Sequence, residues 1–181
     1  LSLPDALPIA WRTALEGTAL AEGSDAARPP EMDLRDQLVE RARALQPKLR
    51  EQQASSDKLG RVSDEMHAAF AEAGFYKILT PRMFGGFELE PRAFLEVVME
   101  IARGHPAAAW CFTLAGSHAY FMASHWPERA QRELFGADGD FRAAHVVGPV
   151  GSMTPTEGGY LVSGVWPFAS GIPVSNHFIG G

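Results

Sequence analysis

The sequence predicts an all-α domain followed by the opening of a β domain, on three observations. From Asp33 to Phe135, apolar residues recur at the three- and four-residue spacing of amphipathic helices. After Gly139 this spacing gives way to short alternating stretches that are separated by glycines, which is typical of strands and turns. Helices come first and strands afterwards, which favours successive α and β units over an alternating α/β sheet.

The predicted helices begin at residues that favour helix N-termini. Asp33 and Ser63 can accept hydrogen bonds from free backbone N–H groups, so they are candidate N-caps of the first two helices. Pro91 and Pro106 suit the first turns of the third and fourth helices, where proline loses no hydrogen bond. A short amphipathic fifth helix is expected over 127–135.

The distribution of apolar residues predicts how the third and fourth helices are buried. The third helix should bury an apolar face and expose its charged residues, including Glu96 and Glu100. The fourth is apolar nearly all round, so it is expected to be central and buried. His118 lies on this apolar helix, where an imidazole needs a hydrogen-bond partner.

Three strands are predicted after Gly139, over 141–147, 160–166 and 174–179. The stretch between the first two is interpreted as a loop and a turn. It contains several glycines but has neither a GxGxxG pattern nor a following helix, so the sequence excludes a Rossmann dinucleotide site.

Composition excludes several kinds of partner. The chain of 181 residues has a net charge of −6 and no dense Lys/Arg run, so no nucleic-acid partner is expected. The longest apolar run, 107–123, contains Ser117, His118 and Tyr120, which favours a buried helix and no membrane span. Cys111 is the one cysteine, which rules out an intrachain disulfide and fits a cytoplasmic location.

A metal site is not expected either. Cys111, His118 and His125 recur every seven residues, which is a spacing that invites a metal interpretation. Seven residues of straight helix rise roughly 10.5 Å, whereas zinc ligands lie at about 2.0–2.3 Å from the ion. No two of these side chains can therefore share an ion.

The two ends predict that the chain is a piece of a longer protein. It begins with Leu1 rather than Met, and it ends at Gly181 directly after a predicted strand. Residues 1–30, rich in Ala and Gly, are interpreted as a leader or as a foreign, disordered segment. The expected domains are a helical domain at 31–139 and the incomplete beginning of a middle β domain at 140–181.

Four stretches, in order, give the sequence a resemblance to a known family. They lie at 73–86, at 107–110 (Ala-Ala-Ala-Trp), at 158–164 (Gly-Gly-Tyr-Leu-Val-Ser-Gly) and at 166–171 (Trp-Pro-Phe-Ala-Ser-Gly). The chain from about residue 33 resembles acyl-CoA dehydrogenases, and more closely the oxygenase components of two-component flavin-dependent monooxygenases. The 4-hydroxyphenylacetate and secosteroid hydroxylases are of this type. The resemblance implies a truncated acyl-CoA dehydrogenase-like fold, in which the second domain is barrel-like.

Two departures favour the hydroxylases over the dehydrogenases. Dehydrogenases have Thr-Glu-Pro followed by Ala-Gly-Ser-Asp at the end of the first strand of the middle domain. This chain has Val-Gly-Pro-Val-Gly-Ser-Met at 147–153, without the Thr, the Glu and the final Asp. The stretch at 166–171 is also similar to the hydroxylase version of the flavin-contacting motif.

The resemblance implies a flavin-dependent oxygenase component. Such a protein takes reduced flavin, FMN or FAD, from a separate flavin reductase and hydroxylates an aromatic or similar small molecule through a flavin hydroperoxide. It also implies a homo-oligomer, commonly a tetramer, at full length. Two alternatives stay open, namely an acyl-CoA dehydrogenase with tightly bound FAD and an inactive piece that acts only as a helical module.

The resemblance also assigns candidate site residues. Ser170 would hydrogen-bond the reactive ring nitrogen of the flavin. His118 would reach the substrate pocket as a catalytic proton donor or acceptor, and Trp110 would line that pocket. The remaining candidates for flavin contact are Gly148, Pro149, Trp166, Phe168 and Ala169.

These residues also have plainer interpretations. Ser170 can be a turn serine before Gly171, His118 a hydrogen-bonded core histidine, and Trp110 a core aromatic. Two further histidines, His145 and His177, are interpreted as surface or strand residues without a role.

Overall fold

The computed structural model describes residues 32–181, so the expected leader of 1–30 lies outside the described residues. Five α-helices come first: α1 Leu34–Leu59, α2 Asp64–Glu72, α3 Pro91–Gly104, α4 Pro106–His125 and α5 Glu128–Phe135. Three short 3-10 turns lie at Phe75–Lys77, Arg82–Phe84 and Ile172–Val174. The four strands all follow the last helix, which confirms the predicted fold class.

The strands form two separate pairs. β1 (Ala143–Val146) pairs in parallel with β4 (His177–Gly180), and β2 (Gly151–Thr156) forms an antiparallel hairpin with β3 (Gly159–Gly164). The sequence missed β2, because Gly, Ser, Thr and Pro hide any alternation there and only pairing with β3 reveals the strand.

The helices enclose a core that is centred on one aromatic ring. Phe112 of α4 is almost fully buried, and its ring centroid lies 5.1 Å from that of Phe94, 5.4 Å from Tyr76 and 5.6 Å from Phe70. α2 begins as predicted, because the hydroxyl of Ser63 accepts a hydrogen bond from the Met66 N–H at 3.1 Å. The core thus depends on contacts between elements far apart in the chain.

The expected exposure of Glu100 is wrong, since this residue is only 5% exposed. Gln46 donates to its carboxylate at 2.7 Å, and Arg43 and Arg103 form ion pairs with it. Burial pushes the Glu100 pKa up, but the hydrogen bonds and charges of the two arginines outweigh this and hold the pKa below its usual range. The buried carboxylate of Glu100 is therefore tolerated between α1 and α3 because Arg43, Gln46 and Arg103 pair with it.

The expected burial of α4 on all sides is wrong for one side. Phe112, Ala115 and Met122 are buried against the other helices. On another side, Trp110 is 60% exposed among the described residues, and Phe121 is also exposed. The apolar sequence of α4 therefore does not mean that every side of this helix is buried among residues 32–181. No helix in the described part of the chain has both the length and the apolarity that crossing a membrane requires.

Candidate functional site

The segment that carries the Trp-Pro-Phe-Ala-Ser-Gly motif packs on α4 through a glycine. Gly171 has a left-handed φ of +83°, and a Cβ atom there would lie 3.0 Å from the carbonyl oxygen of Cys111 and 3.5 Å from the Cβ of Ala115. Any side chain would therefore strain the backbone and press on α4. Gly171 thus places its neighbour Ser170 beside the turn of α4 between Cys111 and Ala115.

Ser170 lines a cavity of about 320 Å³ between this segment, α4 and the loop that follows α1. Arg61 of that loop and Cys111 also line the cavity, as do Phe168 and Ala169. Burial raises the pKa of the Cys111 thiol, and a hydrogen bond from the Gly171 backbone opposes this more weakly. The thiol therefore lines the cavity in its protonated, neutral form and is not an activated nucleophile.

Phe168 has an unusual conformation for a bulky residue. Its φ is +61°, and its side chain is 95% exposed among the described residues. The carbonyl oxygen of Phe168 accepts a hydrogen bond from the Ser170 N–H at 2.8 Å, which holds the tight turn in place. Strained backbone of this kind concentrates at ligand sites, so the conformation fits a segment that is shaped to meet a bound group.

Trp166 lies where the two strand pairs meet. Its Nε1–H donates to the carbonyl oxygen of Gly181 at 3.1 Å, and its ring meets that of Phe178 edge to face at 5.5 Å. A Cβ atom at Gly151 would lie 2.2 Å from the ring, and one at Gly164 would lie 2.8 Å from it. These contacts show that Trp166 packs among the strands. Its ring is half-buried, and its contact with flavin stays a prediction.

Two other candidates for flavin contact lie in the loop between β1 and β2. Gly148 is half-buried and Pro149 is exposed. The carbonyl oxygen of Gly148 accepts a hydrogen bond from the Val150 N–H at 2.8 Å, which makes the loop a tight turn. Their contact with flavin also stays a prediction.

His118 has the hydrogen-bond partner that its apolar surroundings demand. Its Nδ1 lies 2.9 Å from the carbonyl oxygen of Ala143 on β1. A carbonyl only accepts, so Nδ1 of His118 carries a proton and donates it. Its Nε2 lies 3.2 Å from Nδ1 of His145, and the two rings meet edge to face at a centroid distance of 5.0 Å.

The sequence missed His145, because Ala143 and Ala144 on the two faces of β1 are both fully buried and alternation does not distinguish the faces. The contact with His118 shows that His145 lies on the side of β1 that packs on α4. Burial lowers its pKa first of all, and the nearby His118 lowers it further.

The structure thus brings two of the predicted site residues to one side of α4. Cys111, Ala115 and His118 follow one another at the four- and three-residue spacing of a single helix face. Ser170 lies beside the first turn of that face and His145 lies at its end. Trp110 is exposed on another side of the helix, and Trp166 lies apart among the strands.

The residues on this face have chemistry that suits a flavin ring. Among residues 32–181, no group of three or more metal-ligating side chains is found. Ser170 offers a half-buried hydroxyl that can donate or accept, and it belongs to a strained turn that borders a cavity. A hydroxyl beside exposed aromatic surface suits the polar edge and the flat face of a flavin ring.

Known proteins match the chain over most of its described length. The Rhodococcus jostii oxygenase subunit HsaA, a flavin-dependent monooxygenase, is 32% identical over 133 residues, which are 74% of this chain and 35% of that protein. The crystal structure of the HsaA monooxygenase from M. tuberculosis superposes with a TM-score of 0.73 at 29% identity, covering 81% of this chain and 40% of that one.

A third relative was solved with a flavin. XiaF from Streptomyces sp., in complex with FADH2 and glycerol, matches with a TM-score of 0.73 at 26% identity, over 81% of this chain and 37% of that chain. The chain thus spans little more than a third of the length of these relatives.

A family model decides the relationship. The model described as acyl-CoA dehydrogenase, N-terminal domain, matches residues 33–137, which is more than half of the chain. The match covers all five helices. On this evidence, the chain belongs to the acyl-CoA dehydrogenase family.

Proposed function

We propose that the chain is the front part of the oxygenase component of a two-component flavin-dependent monooxygenase. The observation that carries this proposal is the placement of Ser170 and His118 along one face of α4. Relatives such as HsaA, the oxygenase subunit of a flavin-dependent monooxygenase, support it. A separate reductase would supply reduced flavin, FMN or FAD, and the helical domain would end near residue 139.

Bound reduced flavin would supply the activation of oxygen, while this chain orients and shields the ring. The hydroxyl of Ser170 suits a ring nitrogen whose protonation changes with redox state, because a hydroxyl can both donate and accept. The neighbouring Phe168 offers an exposed aromatic face to the same group. Gly148 and Pro149 would add backbone contacts from the next loop.

Substituting Ser170 by Ala in the full-length protein tests this assignment. Losing one hydrogen bond to a ring nitrogen costs about 0.5–1.5 kcal/mol, so peroxide release per flavin oxidised should rise about two- to tenfold, at the expense of product. The measurement is hydrogen peroxide and hydroxylated product per flavin.

The matched control is Ser175→Ala, since the Ser175 hydroxyl donates to the Gly171 carbonyl oxygen at 2.9 Å within the same turn. That variant loosens the turn but leaves Ser170 in place. Equal uncoupling in both variants would show that Ser170 only supports the turn, and unchanged coupling in Ser170→Ala would remove its role.

The two alternatives predict different behaviour on purification. An acyl-CoA dehydrogenase would retain yellow FAD, whereas the oxygenase component should be colourless until reduced flavin is added. A helical module alone would bind no flavin in any form. The 181-residue chain by itself should bind flavin weakly and self-associate through open strand edges, so a monodisperse monomer with micromolar flavin affinity would contradict this.

A further inference from the structure

The hydrogen bonds of the two histidines leave one free ring nitrogen, and it belongs to His145. Both nitrogens of His118 are occupied, Nδ1 by the Ala143 carbonyl oxygen at 2.9 Å and Nε2 by Nδ1 of His145 at 3.2 Å. Among residues 32–181, we find no hydrogen bond to Nε2 of His145. Of the four ring nitrogens of this pair, Nε2 of His145 is therefore the one that the described residues leave for a substrate.

The same contacts determine where the protons lie when both rings are neutral. Nδ1 of His118 must carry its proton because it faces a carbonyl, so Nε2 of His118 is bare and accepts. Nδ1 of His145 must then carry a proton and donate it to that nitrogen. Nε2 of His145 is consequently bare and has a free lone pair.

The surroundings keep His145 neutral near pH 7. Burial and the neighbouring His118 both lower its pKa below the ordinary histidine value of about 6.5. On β4, His177 pairs with Ala143 and interacts with Asp140 and Arg142 rather than with His145. On α4, the nearest further histidine is His125, whose Nδ1 bonds the Phe121 carbonyl oxygen.

We propose that His145 is a catalytic base of this site and that His118 is the positioning residue which orients it. Nε2 of His145 takes the proton of a hydroxyl group on the substrate: the O–H bond breaks, an N–H bond forms, and the substrate is left as an oxyanion. Nδ1–H of His145 stays donated to Nε2 of His118, which keeps the ring of His145 in place while Nε2 takes the proton. This proposal rests on the proposed oxygenase function, whose aromatic substrate would carry the ionisable hydroxyl group.

Other enzymes also pair a catalytic base with a residue that orients it. A base works well when another group fixes its tautomer and its orientation. Deprotonating a phenol makes its ring richer in electrons, which favours attack on an electrophilic oxygen. Ser170 at the other end of the same α4 face would then orient the flavin while the histidine pair orients the substrate.

Nitrogen NMR of the histidine rings in the full-length protein, with neither flavin nor substrate added, tests the geometry without any activity. The proposal predicts that His145 carries its proton on Nδ1, whereas histidine side chains in water favour Nε2–H. Replacing His118 by Ala should return His145 to the ordinary tautomer, and His125→Gln should leave it unchanged. An Nε2–H tautomer of His145 in the unchanged chain would overturn the proposal.

Turnover of the full-length protein with a phenolic substrate tests the chemistry. His145→Gln should lower the rate of hydroxylation about a hundredfold and remove the acidic fall in rate, which should lie below the ordinary histidine value of about 6.5 because the pKa of His145 is lowered. His118→Gln keeps an acceptor for His145 Nδ1–H, so it should retain the acidic fall and lose less rate than His118→Ala. A wild-type pH profile in His145→Gln would overturn the assignment of the base.

The two proposals fail in different ways. If the full-length protein oxidises reduced flavin but hydroxylates nothing, the oxygenase function fails while the NMR result still stands. If it hydroxylates phenols at the wild-type rate without His145, only the assignment of the base fails.

Discussion

The helical part of the chain and the β2–β3 hairpin place their apolar side chains in opposite environments. In the helical part, Phe70, Phe75 and Phe112 are almost completely buried. In the hairpin, every residue of both strands is exposed, and Leu161 is 68% exposed. Burial of apolar surface is the main favourable term in folding. Apolar contacts among the described residues therefore stabilise the helices, whereas such contacts bury no residue of the two hairpin strands.

This contrast explains where the candidate site lies. Ser170, Gly171 and His145 belong to the segments that connect the two regions, and each lies against α4 of the helical part. The rigid helices fix one wall of the site, whereas the strands leave apolar surface that is uncovered in residues 32–181. A site between a packed region and an open one is well placed to receive a flat cofactor.

Truncating the central aromatic ring should give the largest effect. Phe112→Ala removes a buried side chain whose ring contacts four others, with centroids at 5.1–6.0 Å, so it should destabilise the chain by about 3–5 kcal/mol. Leu161→Ala in the hairpin is the matched control and should change stability by less than about 0.5 kcal/mol. Urea unfolding would measure both, and similar losses would mean that the two regions share one core.

Removing the buried charge between α1 and α3 should have a smaller effect. Glu100→Gln keeps the shape but loses the charge-assisted bonds to Arg43 and Arg103, so it should cost about 2 kcal/mol at neutral pH. Glu40→Gln removes the exposed partner of the same Arg43 and should cost less than about 1 kcal/mol.

The pH dependence of this difference follows from the sign of the pKa shift. Because the folded pKa of Glu100 is lowered, its stabilisation is present above the unfolded glutamate value of about 4.3 and is lost as pH falls through the folded value. The gap between the wild-type chain and Glu100→Gln should therefore shrink below about pH 4. A gap that is constant between pH 3 and 7, measured by unfolding at each pH, would contradict the ionised role of this carboxylate.

The smallest effect should come from a histidine that connects α2 to the segment just before β1. Nε2 of His67 on α2 lies 2.5 Å from Nη1 of Arg142, and Nδ1 lies 2.9 Å from the Tyr76 hydroxyl. Burial and then the charge of Arg142 lower the pKa of His67, so its stabilisation is present above the ordinary value of about 6.5 and is lost as pH falls through the folded value.

His67→Gln should reduce the fall in the free energy of unfolding between pH 7 and pH 5 by about 1 kcal/mol or less. His125→Gln, on an exposed histidine of α4, should leave that slope unchanged. Thermal unfolding at several pH values would measure it, and an unaltered slope in His67→Gln would mean that other histidines carry the dependence.

The sequence predicted the helices well because their signals are local. Periodic apolar residues and the cap at Ser63 act within a few residues of each other, and the structure contains the helices that they predict. Burial of Glu100 depends instead on Arg43 and Gln46, more than fifty residues away in the chain. Such distant pairs leave no local pattern to detect.

The candidate site was only partly predictable for the same reason. The motif at 166–171 pointed to Ser170, and an isolated imidazole on an apolar helix pointed to His118. The pairing of His118 with His145 spans 27 residues and depends on how β1 packs on α4. Only the packed structure brings these two rings together.

A single turnover of the full-length protein distinguishes an oxygenase component from an acyl-CoA dehydrogenase. The protein would be loaded with reduced flavin and mixed once with oxygen and a phenolic substrate, and product would be counted per flavin oxidised. An oxygenase component should give close to one hydroxylated product per flavin, with little free peroxide. Oxidation that yields only peroxide, together with reduction of bound flavin by acyl-CoA thioesters, would contradict the oxygenase proposal and favour the dehydrogenase alternative.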